Sequence, residues 1–307
     1  MVRSYPRVNS HFFSHLKHTL PSLLTVSIST ASEGFFMSQV SLNGDWTLTS
    51  PTHPTICIPM TIPGDNYQAL YHANIIADPY QGVNEKDVQW VRECDWHLSH
   101  TFYLSQQELN ASSLLLNLSR LDTLADVFIN GELVLHSTNM FQLHHINIKP
   151  FVELGDNIIS VHFSRVDKEG EQRAETLPMP IPWAVGNNKV PHMNLIRKTQ
   201  CHSGWDWGIC LLVSGIYDPV YIDVIEHITL LSAQTEQIWH QNRVEVHVTI
   251  NHDLIADHEI TVTFGEQIQM TTTSKTGLTT VSFHITEPEL WWPSGYGEQP
   301  YILCMLI

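Results

Sequence analysis

From Ser41 onward the chain is built of short apolar runs in which hydrophobic and polar residues alternate, and Gly, Asn, Asp and Pro separate the runs. Val244-Glu-Val-His-Val-Thr-Ile250, Ile260-Thr-Val-Thr-Phe264 and Thr279-Thr-Val-Ser-Phe-His-Ile285 keep a period of two throughout. That period places successive side chains on opposite faces of an extended strand, so it predicts half-buried antiparallel sheet. Leu114-Leu-Leu-Asn-Leu118 and Asn157-Ile-Ile-Ser-Val-His-Phe163 read as further strands. Between Ala125-Asp-Val-Phe-Ile129 and Leu133-Val-Leu-His136 stands Asn130-Gly131. Both residues tolerate the positive φ of a type I′ turn, so this stretch reads as a tight hairpin. Strands never alternate with helical patterns, which excludes a doubly wound sheet or a (β/α)8 barrel in this stretch. The predicted class is all-β, with a jelly-roll-like sandwich followed by an immunoglobulin-like one.

Residues 1–36 read as an extension, disordered or upstream of a start at Met37, where Met-Ser-Gln-Val-Ser-Leu-Asn-Gly-Asp-Trp opens the first domain. The first domain is expected over 37–226 and the second over 227–307. The chain ends in Tyr301-Ile-Leu-Cys-Met-Leu-Ile307, read as a truncated last strand. Residues 164–210 interrupt the strand rhythm with Pro178, Pro180, Pro182 and Pro191. Proline cannot donate to a ladder, so this is a long excursion, of the kind that carries function on a rigid scaffold.

Composition excludes several function classes. With 31 acidic against 15 basic residues, the formal charge is −16. No basic face is available to neutralise phosphates or anionic lipid, so neither nucleic acid nor membrane is an expected partner. No apolar run reaches the roughly 18–20 residues of a membrane helix. Five cysteines, with no Cys-x-x-Cys pair, argue against a disulfide framework or a structural zinc site and for reduced thiols in a cytoplasmic protein. His97 and His100, and the adjacent His144-His145, lack acidic or cysteine partners at ligand spacing, so no metal is expected. No cofactor loop is found either; Gly295-Tyr-Gly297 reads as a turn.

The densest chemistry is Gly204-Trp-Asp-Trp-Gly208, two indoles flanking a carboxylate. Sugars present apolar C–H faces and hydroxyl donors, which such a cluster can stack and accept. On the residues alone, packing of Trp205 and Trp207 with a turn-capping Asp206 stands equally well. Glu171 and Glu175, four apart in a charged run, read as a solvated turn or short helix. No catalytic carboxylate is assigned. Trp183 is expected to be buried in the sandwich, and Trp291-Trp292 to pack between domains.

Several motifs together resemble the N-terminal half of the β-mannosidases of glycoside hydrolase family 2. These are Leu42-Asn-Gly-Asp-Trp46, Ile62-Pro-Gly-Asp65, Asp78-Pro-Tyr80 with Asn84-Glu85, Trp90-Val91 and Asp95-Trp96, then Arg197-Lys-Thr-Gln-Cys-His-Ser-Gly-Trp-Asp-Trp-Gly208 and Leu290-Trp-Trp-Pro-Ser-Gly-Tyr-Gly-Glu-Gln-Pro300. They occur in the family's order over about residues 40–307, which makes the resemblance specific. One departure is Ile209, where the family often has Pro. The resemblance implies a galactose-binding-like jelly roll, an immunoglobulin-like sandwich and then a barrel bearing both catalytic Glu residues, which this sequence lacks. It implies retaining hydrolysis of terminal non-reducing β-D-mannose from a β-mannoside oligosaccharide, with this chain inactive alone. It also implies that Asp206 accepts hydrogen bonds from the sugar, that Trp205 and Trp207 shape the subsite, and that Asn84, Glu85 and Arg197 are lesser pocket candidates. Other readings are a non-catalytic carbohydrate-binding module and a sister activity such as β-galactosidase or β-glucuronidase.

Overall fold

The structure is a computed structural model that describes residues 25–28, 38–183, 189–226, 230–252 and 259–306. The chain divides into two compact units, Phe36–His227 and Met1–Phe35 together with Ile228–Ile307.

The first unit is a sandwich of antiparallel sheets. Its larger sheet runs β10 (Glu132–Ser137), β9 (Ala125–Ile129), β12 (Gly155–Phe163), β6 (Trp96–Leu104), β3 (Gly44–Thr49) and β4 (Cys57–Ile62). Alternation places Ile159, Val161 and Phe163 of β12 and Leu98, Phe102 and Leu104 of β6 in the core. Pro59 falls on β4, an edge strand, where its missing donor costs no ladder bond. The β9–β10 hairpin turns on Asn130 (φ 49°) and Gly131 (φ 88°), with Ile129 opposite Glu132, as the type I′ signal predicts.

The opposing sheet runs β11 (His144–Asn147), β7 (Ser113–Leu118), β14 (Tyr221–Ile225) and β2 (Ser38–Ser41). All six residues of β7 are buried. Leu114, Leu116 and Leu118 belong to the main core. The alternate residue Asn117 is satisfied by Asp223 at 2.8 Å and His145 at 2.5 Å. Trp46 and Trp96, almost fully buried, donate their indole N–H groups to the Leu42 and Val91 carbonyls. A buried indole so satisfied contributes its apolar area without an orphaned donor.

A third, minimal sheet sets the functional face. Here β5 (Gly64–Asp65), β13 (Gly215–Ile216) and β8 (Leu121–Asp122) pair so that Asp65 and Asp122 flank Gly215. A Cβ on Gly215 would lie 2.2 Å from the Gly64 carbonyl oxygen, so only glycine permits this approach. Asp65 caps α1 (Asn66–His72), accepting from the Gln68 N–H at 3.0 Å. The excursion after β12 contains the helix Val166–Thr176, followed by short 3-10 turns at Met193–Leu195 and Gln200–Ser203. Glu171 and Glu175 are exposed on that helix.

The second unit pairs β15 (Leu230–Trp239), β16 (Arg243–His252) and β19 (Leu278–Thr286) in one sheet. The other sheet runs β1 (Thr25–Ile28), β20 (Leu303–Leu306), β17 (Glu259–Phe264) and β18 (Gln267–Thr272). Val244, Val246, Val248 and Ile250 on one face of β16 meet Ile260, Val262, Phe264 and Phe283 in a separate core. The stretch read as an extension thus contains a strand, β1, parallel to β20; residues 1–24 and 29–36 lie outside the described residues. Trp183 is half-buried beside His192, 6.0 Å between ring centres, and takes no part in the sandwich cores, because the excursion holds it outside the sheets. Trp291 and Trp292 are half-buried, and Trp292 packs against Gly297 in a local turn.

Candidate functional site

Trp205 to Gly208 form a tight turn closed by the Gly208 N–H on the Trp205 carbonyl, at 2.7 Å. Asp206 occupies the left-handed region (φ 48°), which Asp tolerates better than most residues. The turn leaves all three side chains outside: Asp206 is exposed, Trp205 is 55% exposed and Trp207 102%. A fully exposed indole, a second more than half exposed, and a carboxylate between them are surface that burial in this unit does not explain.

The turn is exposed but braced. The Lys189 N–H donates to the Ser203 carbonyl at 2.7 Å, and its ammonium donates to the Gly208 carbonyl at 3.1 Å. The same ammonium meets Glu85 at 2.7 Å, and Glu85 accepts from the Cys210 N–H at 2.8 Å. Lys189 and Glu85, 104 residues apart in sequence, therefore grip both ends of the turn. Burial alone would raise the Glu85 carboxyl, but Lys189 and the Cys210 N–H outweigh it and hold the group below its ordinary value.

Beneath the turn lies a buried ion pair. Lys198 donates to Asp122 at 2.5 Å and to the Val213 carbonyl at 2.7 Å, with side-chain exposures of 2% and 0% for the pair. Burial pushes the Lys198 ammonium down, and Asp122 opposes that. His202 Nδ1 stands 3.5 Å from the same carboxylate. The ion pair closes β8 onto the loop that leads into the turn.

Next to the turn opens a cavity of about 670 Å³, lined among others by Asp65, Tyr71, Tyr80, His202, Trp205 and Tyr217. Burial raises the Asp65 carboxyl, and backbone N–H groups, His202 and Lys198 act against that. Tyr217 is raised by burial and by the nearby Asp65 and Asp122.

The residues singled out in the sequence take different places. Trp205, Asp206 and Trp207 come together on the turn. Glu85 is not in the cavity lining but in the brace. Asn84 donates to the Asp78 carbonyl at 2.9 Å and holds the Asp78–Tyr80 turn. Arg197 is exposed; its carbonyl accepts from the Met140 N–H at 3.0 Å, and its guanidinium forms no ion pair among the described residues. The neighbouring Lys198 turns to Asp122, not to Asp206. The sequence did not point to Lys189, Asp122 or Tyr217, and it marked Asp65 only as the end of the motif Ile62-Pro-Gly-Asp65, with no role. Among the described residues no cluster of three His, Cys, Asp or Glu could hold a metal ion. His97 instead stacks on His162 at 3.9 Å and His100 on Trp46 at 5.2 Å.

Comparison with known proteins adds three kinds of likeness. A sequence model described as the glycosyl hydrolase 2 galactose-binding domain-like family matches residues 46–218, which include the braced turn. A probable β-mannosidase of Caenorhabditis elegans is 29% identical over 284 residues, covering 85% of this chain and 31% of the relative. A β-mannosidase B of Thermothelomyces thermophilus is 32% identical over 241 residues, covering 75% of this chain and 27% of the relative. The chain thus spans about a third of the length of the curated relatives it matches. The solved structure of a β-D-mannosidase from Dictyoglomus thermophilum superposes with a TM-score of 0.66 at 24% identity, covering 88% of this chain and 34% of that one. At that identity the likeness speaks for the fold. Because the family match takes in more than half of the chain and the whole face that carries the turn, this chain belongs to glycoside hydrolase family 2.

Proposed function

We propose that this chain is the non-catalytic β portion of a β-mannosidase, and that its exposed turn forms one wall of the mannose pocket. The observation that carries this reading is the braced Trp205-Asp206-Trp207 turn, whose indoles stay largely exposed while its two ends are fixed. A preformed acceptor between aromatic faces suits a neutral sugar, whose hydroxyl groups donate and whose C–H face stacks. The β-mannosidase names of the relatives support mannose as the sugar.

Retaining hydrolysis needs two carboxyl groups about 5–5.5 Å apart, a nucleophile and an acid/base. The proposal places both on a barrel outside this chain, as the family resemblance implies. Asp206 then binds, orients and helps exclude water, and it neither attacks nor protonates. The test uses the product of the complete reading frame that encodes this chain, with 4-nitrophenyl β-D-mannopyranoside. Turnover by the complete product, none by the 307-residue chain, and a loss of about ten- to hundredfold in kcat/KM for Asp206→Ala are expected. Unchanged kinetics in that variant, or hydrolysis by the 307-residue chain alone, would overturn the assignment.

A further inference from the structure

We propose that the cavity at the foot of the turn is itself a binding site for one neutral hexopyranose unit. It rests on the carbohydrate reading above but uses other residues: Trp205 lines the cavity, whereas Asp206 and Trp207 do not.

Its volume of about 670 Å³ falls within the roughly 300–1,000 Å³ of small-molecule sites. Its walls carry aromatic rings that packing covers only in part: Tyr71 is 44% exposed, Tyr80 76% and Trp205 55%. Such rings offer a sugar's C–H face a stacking surface at little entropic cost, since each has only two side-chain torsions to fix.

On the polar side, one oxygen each of Asp65 and Asp78 accepts a backbone N–H, from Gln68 and Tyr80, while one hydroxyl is unmet. Tyr67, another lining residue, is 3% exposed, and its buried hydroxyl has no hydrogen-bond partner. Groups left this way are costly without a ligand or water to satisfy them. Asp65 and Asp78 add carboxylates, the strongest acceptors for sugar hydroxyl groups.

Charge narrows the ligand. Of the described residues no Lys or Arg lines the cavity, whose bases are His72 and His202; Lys198, close to Asp65, is locked to Asp122 at 2.5 Å and shielded from solvent. Among the described residues the walls therefore present carboxylate acceptors with no Lys or Arg in the lining, which favours a neutral hexose and disfavours a uronate by like-charge repulsion.

The experiment is calorimetric titration of the 307-residue chain with methyl β-D-mannopyranoside, methyl β-D-glucopyranoside and the methyl glycoside of D-glucuronate. Saturable binding of the neutral glycosides is expected, with the uronate about tenfold weaker. Tyr80→Ala, at an exposed position, should weaken binding roughly three- to tenfold with folding intact. Tyr217→Phe, which removes one hydroxyl from the wall, should weaken it too. Tyr103→Ala, an exposed aromatic on β6 outside the cavity lining, should leave it unchanged. Failure of every glycoside to bind the folded chain overturns the proposal. So does binding that Trp207→Ala or Asp206→Ala abolishes and Tyr80→Ala does not touch. If the complete protein hydrolyses the mannoside while the chain binds no sugar, the cavity alone falls. If the chain binds as described while the complete protein has no β-mannosidase activity, the catalytic reading falls and the cavity stands.

Discussion

Lys198 is the residue on which the functional face depends most, and the cost of removing it can be stated. With 2% side-chain exposure it supplies, among the described residues, the ion-pair partner closest to Asp122, itself fully buried, with His202 Nδ1 farther off at 3.5 Å. Truncating one partner of a buried pair strands the other charge in a poorly solvating interior, which costs about 3–5 kcal/mol. Lys198→Ala should lower stability by that amount in urea titration, and Lys198→Met combined with Asp122→Asn should recover most of it. A loss under about 1 kcal/mol in the single variant would mean that water reaches Asp122 after all. The pair was not legible in the sequence. Its members lie 76 residues apart, and no local period or spacing joins them. From the sequence, Lys198 and Arg197 point as readily to Asp206, eight and nine positions on. By contrast, the indole–carboxylate–indole motif could be read directly, because its chemistry sits in three consecutive residues.

The brace is the element-scale counterpart of that pair, since it joins α2 (Asn84–Asp87) to both ends of the turn through Glu85 and Lys189. The Glu85 carboxyl is held below its ordinary value, so the unfolded chain binds the proton more tightly than the folded one. The brace is therefore fully present above the unfolded Glu value of about 4.3 and is lost as pH falls through the lower folded value. Hydrogen-exchange protection at the Cys210 amide, corrected for the intrinsic rate, should drop over that acidic range. Glu85→Gln should flatten the profile, because the amide can still accept from Cys210 but cannot titrate. An unchanged profile in that variant would remove Glu85 from the brace. At this scale legibility followed length. β16, β17 and β19 could be read from their period, and the β9–β10 hairpin from Asn130-Gly131. β5, β8 and β13, two residues each, are too short to show a period, although they position Asp65 and Asp122. β7 reads as a continuous apolar run because both its faces are buried, one of them by the polar contacts of Asn117.

At the scale of the whole molecule, the two units hold separate hydrophobic cores, and the site lies wholly within one of them. Trp46, Trp96, Leu98, Leu116 and Ile159 belong to the first core. The second closes on Val246, Val248, Val262 and Phe283, with Phe264 and Phe283 stacked at 5.2 Å. A unit with its own core folds as a unit. A segment covering 38–226 should therefore unfold in one cooperative calorimetric transition and keep the near-ultraviolet signal of its buried indoles. In the 307-residue chain, Phe283→Ala should cost about 3–5 kcal/mol in the transition of the second unit and leave that of the first in place. An excised segment that lacks a cooperative transition, or a Phe283→Ala chain in which both transitions shift together, would mean that the first unit borrows stability from the second. The turn, its brace and the cavity would then depend on residues outside the sandwich that displays them.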